Sequence, residues 1–455
     1  MPKPQKPYCI AVTSLGCAKN LVDTEVICGT LATQGFALVD DPRYADMVLI
    51  NTCSFIADAR REAEEEIRQA IRWKRAAKPG RRAIAVAGCL PQREPENVAR
   101  QFPEVDLFLG LDDVPHAATR IQQFLTRRLR GRNVPSTTPP SYLYDETEPR
   151  LLLTPPTYAF VKIAEGCDHR CAYCIIPRIR GPQRSRPIES VVAECRQLLA
   201  QDVREINLIA QDTTRYGLDR SDGADLPKLV RACDAIEGDF WIRILYTHPR
   251  HLSEQLLDCF AESTHLVPYL DMPLQHISSH ILKAMHRGMN GDQTRRLLER
   301  IRTRCPHLAI RTTFLVGFPG ETDDDVQELL DLVRTFEFDR LGVFAFSEEK
   351  GTPAASIAAG VVPPSVRHER RDEIMKLQRE IARRKNTALV GKTLTVLPDQ
   401  PEGRDRIAAR TQWDAPDIDN LVHLPMESLP NDFLDVTVTG ASEYDLEAVL
   451  ASNAS

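Results

Sequence analysis

Three cysteines with the spacing C-x3-C-x2-C stand in the middle of the chain, at Cys167, Cys171 and Cys174. Three thiolates in one short loop can hold a 4Fe–4S cluster, whose full ligand set is four cysteines. The fourth iron is then open and can chelate the amino and carboxylate groups of S-adenosylmethionine. An electron passed to the sulfonium breaks a C–S bond and yields a 5′-deoxyadenosyl radical. The spacing therefore predicts a radical centre with these cysteines as its catalytic ligands.

Zinc held by the same cysteines, with His169 as fourth ligand, is the competing interpretation of this loop. Structural zinc sites favour two separated pairs of ligands, so three cysteines and a neighbouring histidine would strain a tetrahedron. The iron–sulfur cluster is therefore the favoured prediction. His169 is then expected to be a solvent-facing loop residue.

A second cysteine triplet, Cys17, Cys53 and Cys89, has a constant spacing of 36 positions. Each cysteine ends or follows an apolar run of strand length, and helical patterns over residues 21–34 and 60–77 separate the runs. Alternating strands and helices predict a parallel sheet, and the carboxyl ends of its strands share the edge where ligands bind. We predict that these cysteines share an auxiliary 4Fe–4S cluster with one iron open to a sulfur-bearing ligand.

The remaining cysteines follow no such pattern. A free cysteine is usually a small buried hydrophobe, so packing in the core is the expectation for them. They are Cys9, Cys28, Cys195, Cys233, Cys259 and Cys305. Disulfides are not expected, because the chain is predicted to be cytoplasmic and the cytosol keeps thiols reduced.

Three domains are predicted, two of the α/β class and one of the β class, and they position the two triplets. Residues 1–126 should form the open parallel α/β sheet, and a linker rich in proline and threonine covers 127–156. Six strand-like runs with helices between them predict a partial (β/α)6 barrel within 157–386, which includes a long charged helix at 365–386. Short strands and polar turns in 387–455 predict a small β-barrel.

Polar residues and glycines at predicted strand ends are candidates for binding S-adenosylmethionine. Gln211 and Asp212 follow the second strand of the barrel and could bind the methionine amino group; a capped turn is the alternative. Gly317 and Gly320 allow close approach of the backbone, as contact with adenine or ribose requires. The loop after the third cysteine is basic and could meet an anionic carboxylate or simply be solvated, through Arg178, Arg180, Arg184 and Arg186.

The hydropathy of the chain argues against a membrane or exported protein, and its charge is unevenly distributed. No apolar run in the 455 residues reaches the roughly 18 needed to span a membrane, and the start lacks the pattern of a signal peptide. The net charge is −6. Residues 388–455 hold 4 Lys and Arg against 12 Asp and Glu, so this acidic tail carries −8.

The whole chain resembles the methylthiotransferases, a three-domain family of radical S-adenosylmethionine enzymes. The segments that carry the resemblance are SLGCAKNLVDTE, LINTCSFI, AVAGCLPQR and EGCDHRCAYCIIPRIRGPQRSRP, and the tail resembles the family's TRAM barrel. The resemblance implies that the N-terminal triplet binds the auxiliary cluster and the central triplet binds the radical cluster. S-adenosylmethionine would serve as both radical source and methyl donor.

Two segments place the chain in the branch of the family called RimO, which modifies an aspartate of a small-subunit ribosomal protein. LDMPLQHIS at 270–278 and RTQWDAPDIDNLVHL at 410–424 are similar to that branch, although Trp413 departs from its pattern. The other branch modifies an adenosine of tRNA. An acidic barrel would repel RNA phosphates and attract a basic ribosomal protein, which favours the first branch.

The resemblance implies that a β-hydrogen of the aspartate is removed by the radical and that sulfur comes from the auxiliary cluster. The partners expected are a basic ribosomal protein, the ribosome and a protein that supplies electrons, with no membrane. The tRNA reaction is the nearest alternative function. A non-catalytic iron–sulfur or zinc protein that binds ribosomes is an alternative of a different class.

Overall fold

The computed structural model describes residues 7–126, 138–426 and 430–451. The chain forms two compact units. Unit 1 holds the described residues up to Leu153 with Glu165–His169 and Cys174–Arg184, and unit 2 holds Thr154–Ala164, Arg170–Tyr173 and the residues from Ser185 onward. The three predicted domain boundaries stay predictions, and residues 127–137 of the predicted linker lie outside the described part.

The first 125 residues alternate strands and helices, as the sequence predicts. The elements are β1 (Cys9–Ser14), α1 (Ala18–Thr33), β2 (Ala37–Leu38), β3 (Met47–Thr52), α2 (Ala57–Arg75), β4 (Ala83–Gly88), α3 (Cys89–Arg93), α4 (Pro95–Gln101), β5 (Leu107–Leu109) and α5 (Ala117–Leu125). The predicted helices at 21–34 and 60–77 each begin three residues earlier than expected. Both are confirmed as α1 and α2.

The five strands of unit 1 form one parallel sheet in the order β2-β1-β3-β4-β5. Every residue of β3 and of β4 is buried, which explains their unbroken apolar runs, because a central parallel strand is covered on both faces. The strands β1, β3 and β4 are neighbours, and each leads directly to one cysteine of the N-terminal triplet. The predicted open parallel sheet is therefore confirmed.

The described part of the predicted linker, residues 138–156, contains neither helix nor strand. Residues of this stretch nevertheless bind unit 1. The Asp112 carboxylate accepts hydrogen bonds from the backbone N–H groups of Ser141 and Tyr142, at 2.8 and 2.7 Å. The buried Glu25 carboxylate binds the Arg150 guanidinium at 2.6 Å. The stretch up to Leu153 is thus part of the packed unit.

The second half of the chain begins with β6 (Tyr158–Lys162), β7 (Ala164–Glu165), α6 (Ile176–Arg180) and β8 (Arg184–Ser185). It continues with α7 (Ile188–Leu199), β9 (Glu205–Ile209), α8 (Leu226–Asp234), β10 (Trp241–Ile244), α9 (Glu254–Glu262), β11 (Leu266–Asp271), α10 (Ser279–Ala284), α11 (Gly291–Arg304), β12 (Ala309–Val316), α12 (Asp323–Phe336), β13 (Arg340–Ala345) and α13 (Pro364–Thr387). Short 3-10 turns lie at Pro42–Tyr44, Leu111–His116, Thr213–Arg215, Pro249–His251 and Pro353–Ser356.

Six of these strands form an open parallel sheet in unit 2, in the order β13-β12-β11-β10-β9-β6. They are the six strands that the sequence predicts. The sheet runs from β6 at one edge to β13 at the other without closing, so the partial (β/α)6 barrel is confirmed. No helix among the described residues is long and apolar enough to cross a membrane.

The C-terminal strands close into a five-stranded barrel in the order β14-β15-β16-β18-β17. Their bounds are β14 (Thr393–Pro401), β15 (Ile407–Thr411), β16 (Val422–Leu424), β17 (Leu434–Ala441) and β18 (Leu446–Leu450). The predicted small β-barrel is confirmed. The sequence patterns indicated four of its strands and missed β18.

A buried network of charges joins this barrel to the six-stranded sheet within unit 2. Arg410, on β15, binds Glu205 of β9 at 2.8 Å and also binds Asp399 of β14. Arg243 of β10 binds the other oxygen of Glu205 at 2.7 Å. Burial opposes ionisation of Glu205, but the two guanidinium groups outweigh it and lower the pKa of this carboxyl.

The loop after β15 extends this contact along the N-terminal ends of the sheet strands. Asp414 binds Arg340 at 2.7 Å, and Asp419 binds Arg311 at 3.3 Å. The Asp417 carboxylate accepts a hydrogen bond from the Tyr158 hydroxyl at 3.1 Å. Part of the acidic charge that the sequence assigns to the tail is therefore offset inside the protein.

Replacing Arg410 with methionine should lower the free energy of unfolding by about 3–5 kcal/mol, since it removes the partner of buried Asp399 and one of the two partners of Glu205. Urea unfolding followed by tryptophan fluorescence measures the loss, and Trp413 in the adjoining loop contributes to that signal. The matched control is Arg406→Met, which breaks an exposed ion pair with Glu447 and should change stability by less than about 1 kcal/mol. Equal losses in the two variants would contradict the assigned role of the network.

Candidate iron–sulfur sites

The three N-terminal cysteines occupy equivalent positions after neighbouring strands of unit 1. Cys17 is the residue before α1, and its carbonyl accepts hydrogen bonds from the N–H groups of Asn20 and Leu21, at 2.9 and 3.0 Å. Cys53 directly follows β3, and Cys89 directly follows β4 as the first residue of α3. The structure therefore brings the predicted auxiliary ligands to one edge of one sheet.

Gly16 shows how closely two of these loops approach. Its φ is +95°, and a Cβ added to it would lie 2.5 Å from the Cβ of Cys53 and 3.0 Å from its Sγ. Only a glycine leaves room for Cys53 beside the backbone that precedes Cys17. Three thiols at one edge, those of the half-buried Cys17 and the buried Cys53 and Cys89, are a donor set that fits an iron–sulfur cluster.

Asn51 ties two of the cysteine-bearing loops together. Its side-chain amide donates to the Asn20 carbonyl at 3.0 Å and to the Thr24 hydroxyl at 2.8 Å. A Cβ on Gly88, the residue before Cys89, would lie 2.2 Å from the Asn51 Oδ1 atom. Asn51 thus binds the start of α1, and its Oδ1 atom lies close to the end of β4. The sequence did not single out this residue, although it stands two positions before Cys53.

The electrostatic surroundings of the three thiols differ. Burial opposes the Cys17 thiolate, but the charges of Lys19 and Arg180 and hydrogen bonds from the backbone outweigh it and lower the pKa of this thiol. Burial raises the pKa of Cys53, and the nearby charge of Cys17 adds to the effect. Burial raises the pKa of Cys89 to about 12, against the opposing charge of Arg180. Binding of iron must therefore displace protons from at least two of these thiols.

Replacing Gly16 with alanine should displace Cys53 and reduce the iron bound at this edge by at least about half, because overpacking costs about 1–3 kcal/mol. The measurement is iron and acid-labile sulfide in a chain whose central cysteines are all alanine, so that only this site binds iron.

Gly35→Ala is the matched control for this substitution. Gly35 also has a positive φ, +82°, but an added Cβ would meet no atom within 4 Å. This variant carries the backbone strain alone and should keep its iron. If both variants lose iron to the same extent, strain rather than the contact with Cys53 is responsible.

The loop of the central triplet begins in unit 1. The backbone N–H of Cys167 donates to the Gly181 carbonyl at 3.0 Å. Gly166 has a φ of +79°, and a Cβ there would lie 2.0 Å from the Pro182 carbonyl oxygen. After Cys174, the side chains of Ile175 and Ile179 pack with Cys89 and Leu111 in one buried cluster.

Cys171 and its neighbours belong to unit 2. The buried Arg287 guanidinium donates to the Cys171 Sγ at 3.6 Å and to the Pro273 carbonyl at 2.7 Å. The N–H of Ala172 donates to the Met285 carbonyl at 3.0 Å, so the segment after α10 fixes this part of the loop. Arg287 was missed from the sequence, which offers no local signal for it because 116 positions separate it from Cys171.

The predicted S-adenosylmethionine contacts have structural roles in unit 2. Asp212 accepts a hydrogen bond from the Thr214 N–H at 2.9 Å, which makes it the cap of a 3-10 turn directly after Gln211. Gly317 has a φ of +76°, and a Cβ there would lie 2.2 Å from the side chain of Arg367. The capped turn, given as the alternative for Asp212, is present; binding of S-adenosylmethionine by these residues stays a prediction.

Two of the four arginines after the third cysteine, Arg180 and Arg186, are buried rather than solvated, whereas Arg178 is exposed. Arg186 is buried and binds the Glu194 carboxylate at 2.5 Å and the Lys162 carbonyl at 3.0 Å within unit 2. Arg180 is buried in unit 1 and binds the carboxylates of Asp23 and Glu165. Contact with a carboxylate, one of the two alternatives for this loop, is therefore present for Arg180 and Arg186 and is made to residues of this chain.

A buried histidine anchors the branch-specific segment at 270–278. The Nδ1 atom of His276 accepts hydrogen bonds from two backbone N–H groups, so its Nε2 atom carries the proton and donates to Glu321 at 3.2 Å. Glu321 also binds the Gly317 N–H and the Arg370 guanidinium, both at 2.8 Å. The segment therefore fixes the end of β12, a role that its sequence did not indicate.

The parallel six-stranded sheet and the cysteine loop after its first strand define a radical S-adenosylmethionine enzyme. Family profiles agree along the chain: "Radical SAM superfamily" matches residues 161–333, "Uncharacterized protein family UPF0004" matches 9–110, and "TRAM domain" matches 390–450. Ribosomal protein uS12 methylthiotransferase RimO of Akkermansia muciniphila is 43% identical, over 97% of this chain and 100% of its own. The chain therefore belongs to the RimO family of ribosomal protein uS12 methylthiotransferases.

Other relatives and a solved structure agree with this assignment. The RimO of Pelotomaculum thermopropionicum is 43% identical, over 96% of this chain and 98% of its own. The radical S-adenosylmethionine methyltransferase TsrM of Kitasatospora setae, with tryptophan substrate and a SAM analogue bound, has a TM-score of 0.54 at 16% identity. That alignment covers 88% of this chain and 79% of TsrM, and at this identity it shows a shared fold alone.

Proposed function

We propose that this chain is a radical S-adenosylmethionine methylthiotransferase that adds a methylthio group to the β-carbon of an aspartate in ribosomal protein uS12. The observation that carries the proposal is the second cysteine triplet, Cys17, Cys53 and Cys89, at the ends of three neighbouring strands. Radical formation needs only one cluster. A second set of three thiols is explained by a reaction that must also deliver sulfur.

We assign Cys167, Cys171 and Cys174 as ligands of the radical cluster, and the N-terminal triplet as ligands of an auxiliary 4Fe–4S cluster. When bound, the first cluster supplies the electron that cleaves S-adenosylmethionine, and the second supplies a place to hold sulfur. The β-carbon of aspartate carries no acidic proton, so acid–base groups alone would not activate it. A radical route meets that chemical need.

The side chains of the protein prepare both cysteine sets. Arg287 donates to the Cys171 sulfur, which fixes the direction of that side chain. Lys19 and Arg180 favour the thiolate of Cys17. Asn51 keeps two of the auxiliary loops at a fixed spacing. These contacts orient the ligands before any group is bound, which limits the reorganisation that binding requires.

The acidic C-terminal barrel is the proposed contact for the basic substrate protein. Asp414 and Asp419 bind arginines of the sheet, so they contribute little to the external field. Exposed acids remain on the barrel, among them Asp405, Asp435, Glu443 and Glu447. Such a surface attracts a cationic protein and repels RNA. We also propose that the enzyme contacts the ribosome, receives electrons from a protein donor and is located in the cytoplasm.

The proposal is tested with the reconstituted enzyme, dithionite, S-adenosylmethionine and two substrates in parallel, uS12 and tRNA. We expect a methylthio group on an aspartate of uS12 and none on tRNA. Formation of 5′-deoxyadenosine with modification of tRNA alone would assign the enzyme to the other branch. Absence of both products and of 5′-deoxyadenosine would leave a protein that binds iron without catalysis.

A further inference from the structure

A buried arginine of unit 1 lies against one of the auxiliary cysteines. The Nη2 atom of Arg180 is 3.5 Å from the Sγ of Cys89. The two residues are 2% and 5% exposed, so water does not weaken the contact. Arg180 is the last residue of α6, a helix that begins two positions after Cys174. The contact therefore joins the segment after the central triplet to the auxiliary edge.

Two carboxylates fix the guanidinium in this position. Glu165 binds Nη1 through both of its oxygens, at 2.9 and 3.0 Å, and Asp23 binds Nη2 at 3.0 Å. Both carboxylates are buried. Ile179 and Leu111 pack against Cys89 and form the apolar part of its surroundings. With partners on both terminal nitrogens, Arg180 has little freedom to turn away from the sulfur.

The contact fits a thiolate better than a neutral thiol. Arginine is a donor only, and hydrogen bonds between two charged groups are about twice as strong as neutral ones. The positive charge of Arg180 is balanced without Cys89, because the carboxylates of Asp23 and Glu165 together carry more negative charge than the guanidinium carries positive charge. A sulfur that becomes an anion when it binds iron does gain from a fixed donor at this distance.

We propose that Arg180 is a positioning residue of the auxiliary cluster, which orients the Cys89 thiolate and raises the reduction potential of the cluster. The inference rests on the proposed function, since it assumes that Cys89 is a cluster ligand. Hydrogen bonds to cluster sulfurs and nearby positive charge are general determinants of such potentials. Residues that contact a ligand from outside also orient it.

A higher potential suits the sulfur-transfer step. If a carbon radical formed a C–S bond with a sulfur ligand of the cluster, the Fe–S bond would break. One electron of that bond would enter the C–S bond, and the other would be left over. That electron must pass to the iron–sulfur cluster that held the sulfur. A cluster with a higher reduction potential accepts it more readily, so Arg180 would favour product formation without contact with the substrate.

The test uses the full chain with Cys167, Cys171 and Cys174 replaced by alanine, so that the auxiliary cluster is the one measured. Arg180→Lys and Arg180→Gln are compared with this parent chain in iron content, sulfide content and melting temperature. The midpoint potential of the cluster is measured by a redox titration followed by electron paramagnetic resonance. We expect the potential to move to more negative values, further in the glutamine variant than in the lysine variant. Arg150→Lys is the matched control, a buried arginine of unit 1 that binds Glu25, and should leave the potential unchanged.

Each of the other possible results either supports or overturns the inference about Arg180. An unchanged potential in Arg180 variants that hold a full cluster overturns the inference and leaves the proposed function standing. Loss of iron at an unchanged melting temperature supports the role at Cys89, whereas loss of iron together with a lowered melting temperature assigns Arg180 to folding and overturns it. A parent chain that binds no cluster overturns the proposed function, and the inference with it.

Discussion

Replacing Cys171 with alanine should reduce the formation of 5′-deoxyadenosine by at least about 1,000-fold, which corresponds to more than about 4 kcal/mol of lost catalysis. Two thiolates of the central triplet remain, too few to hold a cluster with one open iron. The auxiliary cysteines belong to unit 1, whereas Cys171 belongs to unit 2, so the auxiliary cluster should survive. Bound iron should fall from about eight to about four per chain.

Cys305→Ala is the matched control for this experiment. Cys305 is a buried cysteine of unit 2 whose Sγ contacts the Leu257 carbonyl at 3.7 Å. Its replacement should cost about 1–2 kcal/mol of stability and leave iron content and turnover unchanged. Turnover that persists in Cys171→Ala at half the iron would show that the central triplet is not the radical centre.

Replacing Cys53 with alanine should separate radical formation from sulfur transfer. The central triplet is intact, so 5′-deoxyadenosine should form within about tenfold of the parent rate, an effect of less than about 1.4 kcal/mol. Methylthio product on uS12 should fall by at least about 100-fold, because the auxiliary edge loses the thiol that faces Gly16. Product and 5′-deoxyadenosine are measured in the same reaction by mass spectrometry.

Cys28→Ala provides the comparison within the same unit. Cys28 is a fully buried residue of α1, and burial together with the nearby charge of Glu25 raises its pKa to about 12, as expected for an inert core thiol. This variant should keep both products. Retention of methylthio product in Cys53→Ala would contradict the assignment of the auxiliary ligands.

The features that follow from local sequence were the ones that could be predicted. Strands β3 and β4 could be predicted because strands buried on both faces appear in the sequence as short unbroken apolar runs. The position of each N-terminal cysteine after such a run was sufficient to place all three on one edge. The two-residue strand β2 and the three-residue strand β5 carry too little apolar pattern to be recognised.

The features that depend on distant pairs could not be predicted. Arg180 reads as one of four loop arginines, and its partner Asp23 lies 157 positions away. Asp419 reads as part of an acidic tail, yet it binds Arg311 of the sheet, 108 positions away. A run of charged residues in the sequence does not show which of them are exposed. The solvated loop, one of the two alternatives left open, therefore does not hold for Arg180.

The most direct measurement for the central claim is tandem mass spectrometry of uS12 produced together with this enzyme in a host that lacks its own. We expect one aspartate of uS12 to gain the mass of a methylthio group with the parent enzyme, and no gain with Cys171→Ala or Cys53→Ala. Unmodified uS12 beside the parent enzyme, with both clusters present and S-adenosylmethionine cleaved, would contradict the account.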